Sequence, residues 1–256
     1  MRRVHLADLY WAERRVARKM RTLISSARSF DAIDPERAIS WWEGKSGFRL
    51  APAQERAVRT SLENKVSIIT GGPGVGKTTI IRALVDIYCA RKNSKGQTLI
   101  SVQTAAPTGR AAKRLSESTG APSQTVHRLL KYNPQTRRFT YDSENPLTGD
   151  VFVFDETSMV DIRLLHSLLL AVPAKCRLIL VGDPDQLPPV GPGFPFGDML
   201  RSDMLPAIRL TEIFRQAQES LIVMNAHRVN NGQLPDLKNV KSDFFFISCR
   251  SEEELR

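Results

Sequence analysis

Lys77 and Thr78 close the string Gly71-Gly-Pro-Gly-Val-Gly-Lys-Thr78, which fits the phosphate-binding pattern G-x-x-x-x-G-K-[ST]. Gly72, Gly74 and Gly76, with Pro73 and Val75 between them, let a backbone turn its N–H groups inward around phosphates. A helix starting at the lysine adds the positive end of its dipole. Lys77 would set a mobile cation on the β- and γ-phosphates. The Thr78 hydroxyl is the expected Mg²⁺ ligand, and Thr79 completes the cradle. The cofactors this predicts are ATP and Mg²⁺.

An ATPase site needs a second half, a carboxylate at the end of another strand. Asp155 and Glu156 follow the apolar run Val-Phe-Val-Phe154 in that manner. Asp155 would hold Mg²⁺, and Glu156 would polarise the attacking water as general base. An acidic pair after a strand is also ordinary helix-cap chemistry, so the phosphate loop gives the pair its meaning. Three further residues narrow the chemistry. Gln54, just upstream of the first strand, carries an amide able to pair with the N6/N7 edge of adenine. Gln186, in Gly182-Asp-Pro-Asp-Gln-Leu-Pro-Pro, is placed to sense a γ-phosphate. Arg215, after the apolar segment around Leu210, is placed in sequence to reach the same nucleotide.

The elements that must position these residues alternate. Apolar runs at 66–70, 98–105, 151–154 and 177–181 are each followed by a helical or turn-rich stretch: 77–90 after the first, Ala111–Ser118 after the second, Arg163–Leu170 after the third. Strands alternating with helices predict βαβ units and an α/β fold, a parallel sheet with flanking helices. Upstream, residues 5–28 have apolar side chains at helical spacing with arginines between them. Asp34-Pro35 starts a second helix running to Trp41 and Trp42, and Glu43–Gly47 reads as a linker. The polar stretch 133–146 reads as a small hairpin excursion around Phe139 and Tyr141.

Charge and cysteine usage bound the partner and the compartment. The chain carries a formal +10, and the excess is concentrated: +6 over residues 1–29 and +6 over residues 109–138. Such clustering suits a polyanionic partner, or else a well-solvated basic face. Cys89, Cys176 and Cys249 are too few and too scattered for a disulfide framework or a metal site, which points to a reducing compartment. No apolar stretch approaches membrane-spanning length, and the N-terminus lacks a signal core. A cytoplasmic location without membrane contact is expected.

Up to this point a nucleotide kinase, a GTPase or a transport ATPase would satisfy the phosphate loop and the acidic pair. The order and spacing of Gln54, GGPGVGKTT, TAAPTGRAAKRL, TVHRLL, FDETSMVD, VGDPDQLPPVGPG and LTEIFRQ is similar to that of superfamily 1 helicases. The connecting text resembles RecD-like DNA helicases of the stand-alone bacterial kind. The resemblance implies a RecA-like P-loop NTPase fold, ATP- and Mg²⁺-dependent 5′ to 3′ movement on single-stranded DNA, and a place in DNA repair and recombination. It also implies single-strand contacts at Pro107-Thr108-Gly109-Arg110 and at His127 and Arg128, and a hairpin near the duplex fork.

The same resemblance divides the chain into an N-terminal helical segment (1–45), a motor domain (46–235, with a hairpin insertion at about 131–147) and the opening of a further region (236–256). Nothing after Arg215 resembles the motifs of the family's second motor domain, including its arginine finger. A fragment that lacks this partner fold is therefore expected, monomeric and with weak turnover by itself. An ATP-responsive single-strand binding module without catalysis is the alternative.

Other residues carry plainer expectations. Trp41 and Trp42 read as a buried docking pair. His5, His166 and His227 have no spaced partner and read as ordinary helix or surface histidines. Phe244–Phe246 reads as a buried strand, and Arg137 and Arg138 as charges at a hairpin tip, free in solvent or against a duplex.

Overall fold

The computed structural model describes residues 6–214, 219–237, 243–247 and 249. Three helices come first: α1 (Ala7–Ser25), α2 (Pro35–Ser46) and α3 (Pro52–Glu63). The sheet elements then alternate with helices as β1 (Val66–Gly71), α4 (Lys77–Cys89), β2 (Val102–Ala106), α5 (Gly109–Thr119) and β3 (Ser123–Thr125). A four-residue helix α6 (Val126–Leu129) leads into the hairpin β4 (Tyr132–Asn133) and β5 (Arg138–Phe139). The rest is β6 (Val151–Phe154), α7 (Ile162–Ala171), β7 (Arg177–Gly182), α8 (Pro195–Arg201), β8 (Ala207–Leu210) and α9 (Leu221–Asn230).

The main sheet has six strands in the order β3-β2-β6-β7-β1-β8, and every pairing is parallel. A parallel sheet of this kind must be covered on both faces, and its central strands read as unbroken apolar runs. All residues of β1, β6 and β7 are buried. Alternation sorts their side chains between two cores. Leu178 and Leu180 of β7 face α1, α6 and α7 with Phe152 and Phe154. Ile179 and Val181 face α2, α3, α4 and α5 with Val151 and Val153.

The N-terminal helices are part of this packing. Ala12, Val16, Met20 and Leu23 form the buried stripe of α1, laid against α7. Asp34 caps α2 by accepting from the Glu36 and Arg37 amides, and Trp42 is buried with its Nε1 donating to Asp86 of α4. Arg177 is buried at the start of β7, where it donates to the carbonyls of Ser61 and Asn64 at the end of α3. These carbonyls are the negative end of that helix, which is why a cation is tolerated there.

Several expectations need correction. The linker read at 43–47 is helical through Ser46, and only Gly47, in the left-handed region at φ 72°, ends it. The Trp pair divides: Trp42 is 1% exposed, but Trp41 is 43% exposed with the Lys45 ammonium 5.2 Å over its ring. Adjacent residues on a helix point about 100° apart, so both could not share one buried face. The second apolar run contributes strand only from Val102, and residues 123–125 and 207–210 add sheet-edge strands not read from the sequence. Phe244–Phe246 forms no strand, and Phe245 is 65% exposed. The sheet ends at β3 and β8, and Phe244–Phe246 is not among its strands. Among the described residues no helix is long and apolar enough to cross a membrane.

Candidate functional site

Every sequence-predicted site residue after Gln54 that the structure describes follows the carboxyl end of a strand, His127 and Arg128 through the short β3–α6 junction. The phosphate loop leaves β1, Asp155 and Glu156 leave β6, Gln186 leaves β7, and Pro107–Arg110 leave β2. Because β2, β6, β7 and β1 are consecutive neighbours in a parallel sheet, these ends share one rim. Arg215 lies outside the described residues.

The loop itself depends on glycine geometry. Gly74 and Gly76 take φ of 76° and 79°, the left-handed region that L side chains rarely adopt. A Cβ at Gly76 would collide with the Gln54 side-chain amide, and one at Gly72 would lie 2.8 Å from the His227 ring. Lys77 Nζ donates to the carbonyls of Gly71 at 2.6 Å and Gly72 at 2.9 Å. Thr78 is exposed, on the first turn of α4.

Across the rim, Asp155 accepts the Glu156 amide at 2.9 Å. Burial, and then the charge of Glu156, pushes the Asp155 carboxyl up to about 6, against the opposing pull of that amide and of Lys77. Glu156 holds φ 51°, a left-handed conformation on a non-glycine residue, and its Oε2 is buried without a hydrogen-bond partner among the described residues. An orphaned carboxylate oxygen lies in a residue that lines one trough with a lysine and a threonine, so the site has acceptor and donor capacity left for a ligand.

A trough of about 680 Å³ joins these groups. Its walls include Phe48, Arg49, Gln54 and Phe214 as well as Gly72–Thr79, Asp155 and Glu156. Among the described residues no set of three or more His, Cys, Asp or Glu side chains converges as a metal cage. The donor set of one hydroxyl and one or two carboxylates fits Mg²⁺, which takes its remaining ligands from phosphates and water.

Gln54 is 4% exposed and already engaged: its Oε1 accepts the Ala51 amide at 3.0 Å, and its Nε2 reaches the Gly76 carbonyl at 3.5 Å. It sits against the phosphate loop as well as lining the trough. Gln186 is exposed, with its backbone amide donating to the Asp183 carbonyl.

A second cavity of about 290 Å³ connects the two halves of the site. Thr78, Asp155, Glu156 and Gln186 line it on one side, Thr108, Arg110 and Arg114 on the other. Thr108 caps α5 by accepting the Ala111 amide at 3.2 Å, which leaves its hydroxyl hydrogen available. Arg110 is exposed and has no ion pair among the described residues. Pro107 is half-buried and Gly109 exposed. His127 and Arg128 are exposed on α6, and the His127 ring lies 5.7 Å from Tyr132 and 5.8 Å from Phe139 of the hairpin. His127 therefore belongs to an aromatic cluster at the hairpin base, some distance in sequence from the loop after β2.

Sequence reasoning missed three contributors. Arg114 was counted only as charge, although one helical turn after Arg110 it must share its face. Phe214 stood in the shadow of Arg215. His227 gave no signal, since a single histidine on a downstream helix has no local spacing to read.

The AAA domain family model matches residues 54–192, which contain Gln54, the phosphate loop, the acidic pair and Gln186. The chain belongs to the AAA domain family. Within this family it is similar to RecD-type helicases. It is 36% identical to the ATP-dependent RecD2 DNA helicase of Deinococcus radiodurans over 91% of this chain and 31% of that protein. It is 35% identical to the RecBCD enzyme subunit RecD of Mycolicibacterium smegmatis over 75% of this chain and 37% of that protein. The chain thus spans about a third of the length of these curated relatives. The crystal structure of the Pif1 helicase from Candida albicans shares the AAA domain's fold, with a TM-score of 0.53 and 23% identity over 74% of this chain and 45% of that one.

Proposed function

We propose that this chain is the ATP-binding motor domain of a RecD-like DNA helicase, which binds Mg-ATP and single-stranded DNA and moves 5′ to 3′ with the rest of its protein. The observation that carries the reading is Glu156, whose buried Oε2 has no hydrogen-bond partner among the described residues, lining the same trough as Lys77, Thr78 and Asp155. In this reading Lys77 releases the Gly71 and Gly72 carbonyls to hold the β- and γ-phosphates, and Thr78 and Asp155 hold Mg²⁺. The metal, when bound, would neutralise phosphate charge. Glu156 accepts a proton from the attacking water as the water oxygen bonds the γ-phosphorus and the β–γ bridging oxygen leaves with ADP.

Phe48 and Phe214 line the trough with Gln54, and the Phe214 ring lies against Gly76, a set of side chains suited to a flat adenine ring. Thr108, Gly109 and Arg110 would take phosphates of a single strand irrespective of sequence. The cavity lined by Arg110, Gln186 and Glu156 gives strand binding a direct route to the nucleotide. That proximity also favours a second reading, an ATP-responsive single-strand binding module without catalysis.

One assay decides between them. Mg²⁺-dependent binding of a fluorescent ATP analogue is measured first, then ATP turnover with and without single-stranded DNA. Strand-stimulated turnover supports the motor, nucleotide-dependent strand binding without turnover supports the module, and no nucleotide binding sinks both.

A further inference from the structure

The carbonyls of the phosphate loop are held almost one by one, two by the loop's own lysine and others from outside the loop. Those of Gly71 and Gly72 accept from Lys77. Gly74 O accepts the Phe214 amide at 3.3 Å, and Gly76 O faces the Gln54 amide at 3.5 Å. Pro73 O in turn lies 3.0 Å from Nε2 of His227. A carbonyl only accepts, so the ring nitrogen donates and His227 carries its proton on Nε2.

Lys77 has to let go of its two carbonyls when phosphates arrive. The ties from Phe214, Gln54 and His227 come from other elements and need not move. We propose that His227 is a positioning residue for nucleotide binding: it fixes Pro73 so that the loop's amides stay free for phosphate.

The helix that carries it is itself anchored. Asn225, buried two residues earlier on α9, donates to the Asp236 carbonyl at 3.0 Å and accepts the Asp236 amide at 2.7 Å. Arg228 Nε donates to the Leu234 carbonyl at 2.9 Å. Asn225 and Arg228, three residues apart, pin one face of α9 to the returning segment, and the anchored helix gives the His227 ring a defined direction. Gly72 completes the fit, because a Cβ there would lie 2.8 Å from His227 Cε1. Between two glycines, Pro73 is the stiff point of a soft loop, and its carbonyl is the natural handle. A tie of this kind strengthens binding by reducing the ordering that the ligand must impose.

The inference deepens the ATP reading and rests on it, so its test has one arm that needs no nucleotide. His227→Phe keeps a ring of similar size without the donor, and His227→Gln restores an N–H at similar reach. Amide hydrogen exchange over residues 71–79 in the ligand-free protein should be faster in the Phe variant and near parental in the Gln variant. Affinity for a fluorescent ATP analogue with Mg²⁺ should fall about tenfold in His227→Phe and stay within about twofold in His227→Gln, with melting temperatures close to parental in both.

Unchanged exchange in His227→Phe overturns the proposal, and so does faster exchange with parental affinity. A parental protein that binds no nucleotide would instead overturn the phosphate-loop reading, and with it the proposed role. The exchange arm would still show whether the contact exists in solution.

Discussion

The Lys77 ammonium donates to the Gly71 carbonyl at 2.6 Å, so the cation proposed to hold phosphate is parked on a carbonyl of its own loop. The parked state satisfies a charge that would otherwise sit between buried backbone groups, and it is given up only for a better acceptor.

Lys77→Ala should therefore lower affinity for an ATP analogue by about 100-fold, the scale of losing one strong charge-assisted contact. The fold should survive, with little change in melting temperature. Lys77→Arg should retain part of the binding and lose hydrolysis, because a planar fork cannot follow the same path. Equilibrium titration with a fluorescent analogue and a turnover assay check both, and parental affinity in Lys77→Ala would exclude the loop as the phosphate site.

The Asp155 carboxyl, held at about 6 by burial and by Glu156, makes a pH prediction with a definite sign. The folded state grips this proton more tightly than the unfolded chain does. The ligand-free protein should then lose stability as pH rises from about 4 through about 6, by on the order of 2–3 kcal/mol from this group. Mg²⁺ requires the ionised form, so its binding should weaken below pH 6 and level off above pH 7. Asp155→Asn should be more stable than the parent at pH 8 and fail to couple Mg²⁺ to nucleotide binding. Calorimetry across pH 4–8 tests the slope; an Asn variant with the parental profile would refute the assignment.

Gly76→Ala should do two kinds of damage at once. The position holds φ 79°, and the new methyl would run into the Gln54 amide. A loss of about 1–3 kcal/mol is expected from backbone strain alone. For a chain of this size that lowers the melting temperature by roughly 2–12 °C, together with loss of nucleotide affinity. A parental melting temperature would show that the loop relaxes more easily than its geometry implies.

Arg110→Ala tests the strand interface without touching the phosphate loop. If Arg110 contacts a phosphate, binding of single-stranded oligonucleotides should weaken equally for all sequences. The slope of log K against log salt should shrink by about 0.7, one phosphate on a single strand. A sequence-dependent loss would mean that Arg110 reads a base instead.

How far the sequence carried the reading depended on whether the signal was local. The phosphate loop, Asp155-Glu156 and the buried runs of β1, β6 and β7 could be found because glycine spacing and unbroken apolar stretches are local signals. The order of the strands is not local. β2 pairs with β6 although 44 residues separate Ala106 from Val151, and no pattern within either run announces that neighbour. Edge strands such as β3 and β8 are short and half-exposed, so they lack the apolar continuity that betrays a central strand. Trp41 and Trp42 had the right composition for docking, and helical geometry allowed only one of them inside. His227 is the extreme case: its partner Pro73 lies 154 residues away, and only the folded chain brings the two together.

Glu156 adopts a backbone conformation, φ 51°, in which glycine would rest more easily. Laboratory selection for heat tolerance should therefore be drawn to this position, since Glu156→Gly would release local strain with few other contacts to lose. The survivors would be sturdier proteins that have discarded the carboxylate proposed as proton acceptor. If Glu156 is the proposed general base, any effort to harden this domain has to exempt that residue from the search, or it will select against turnover.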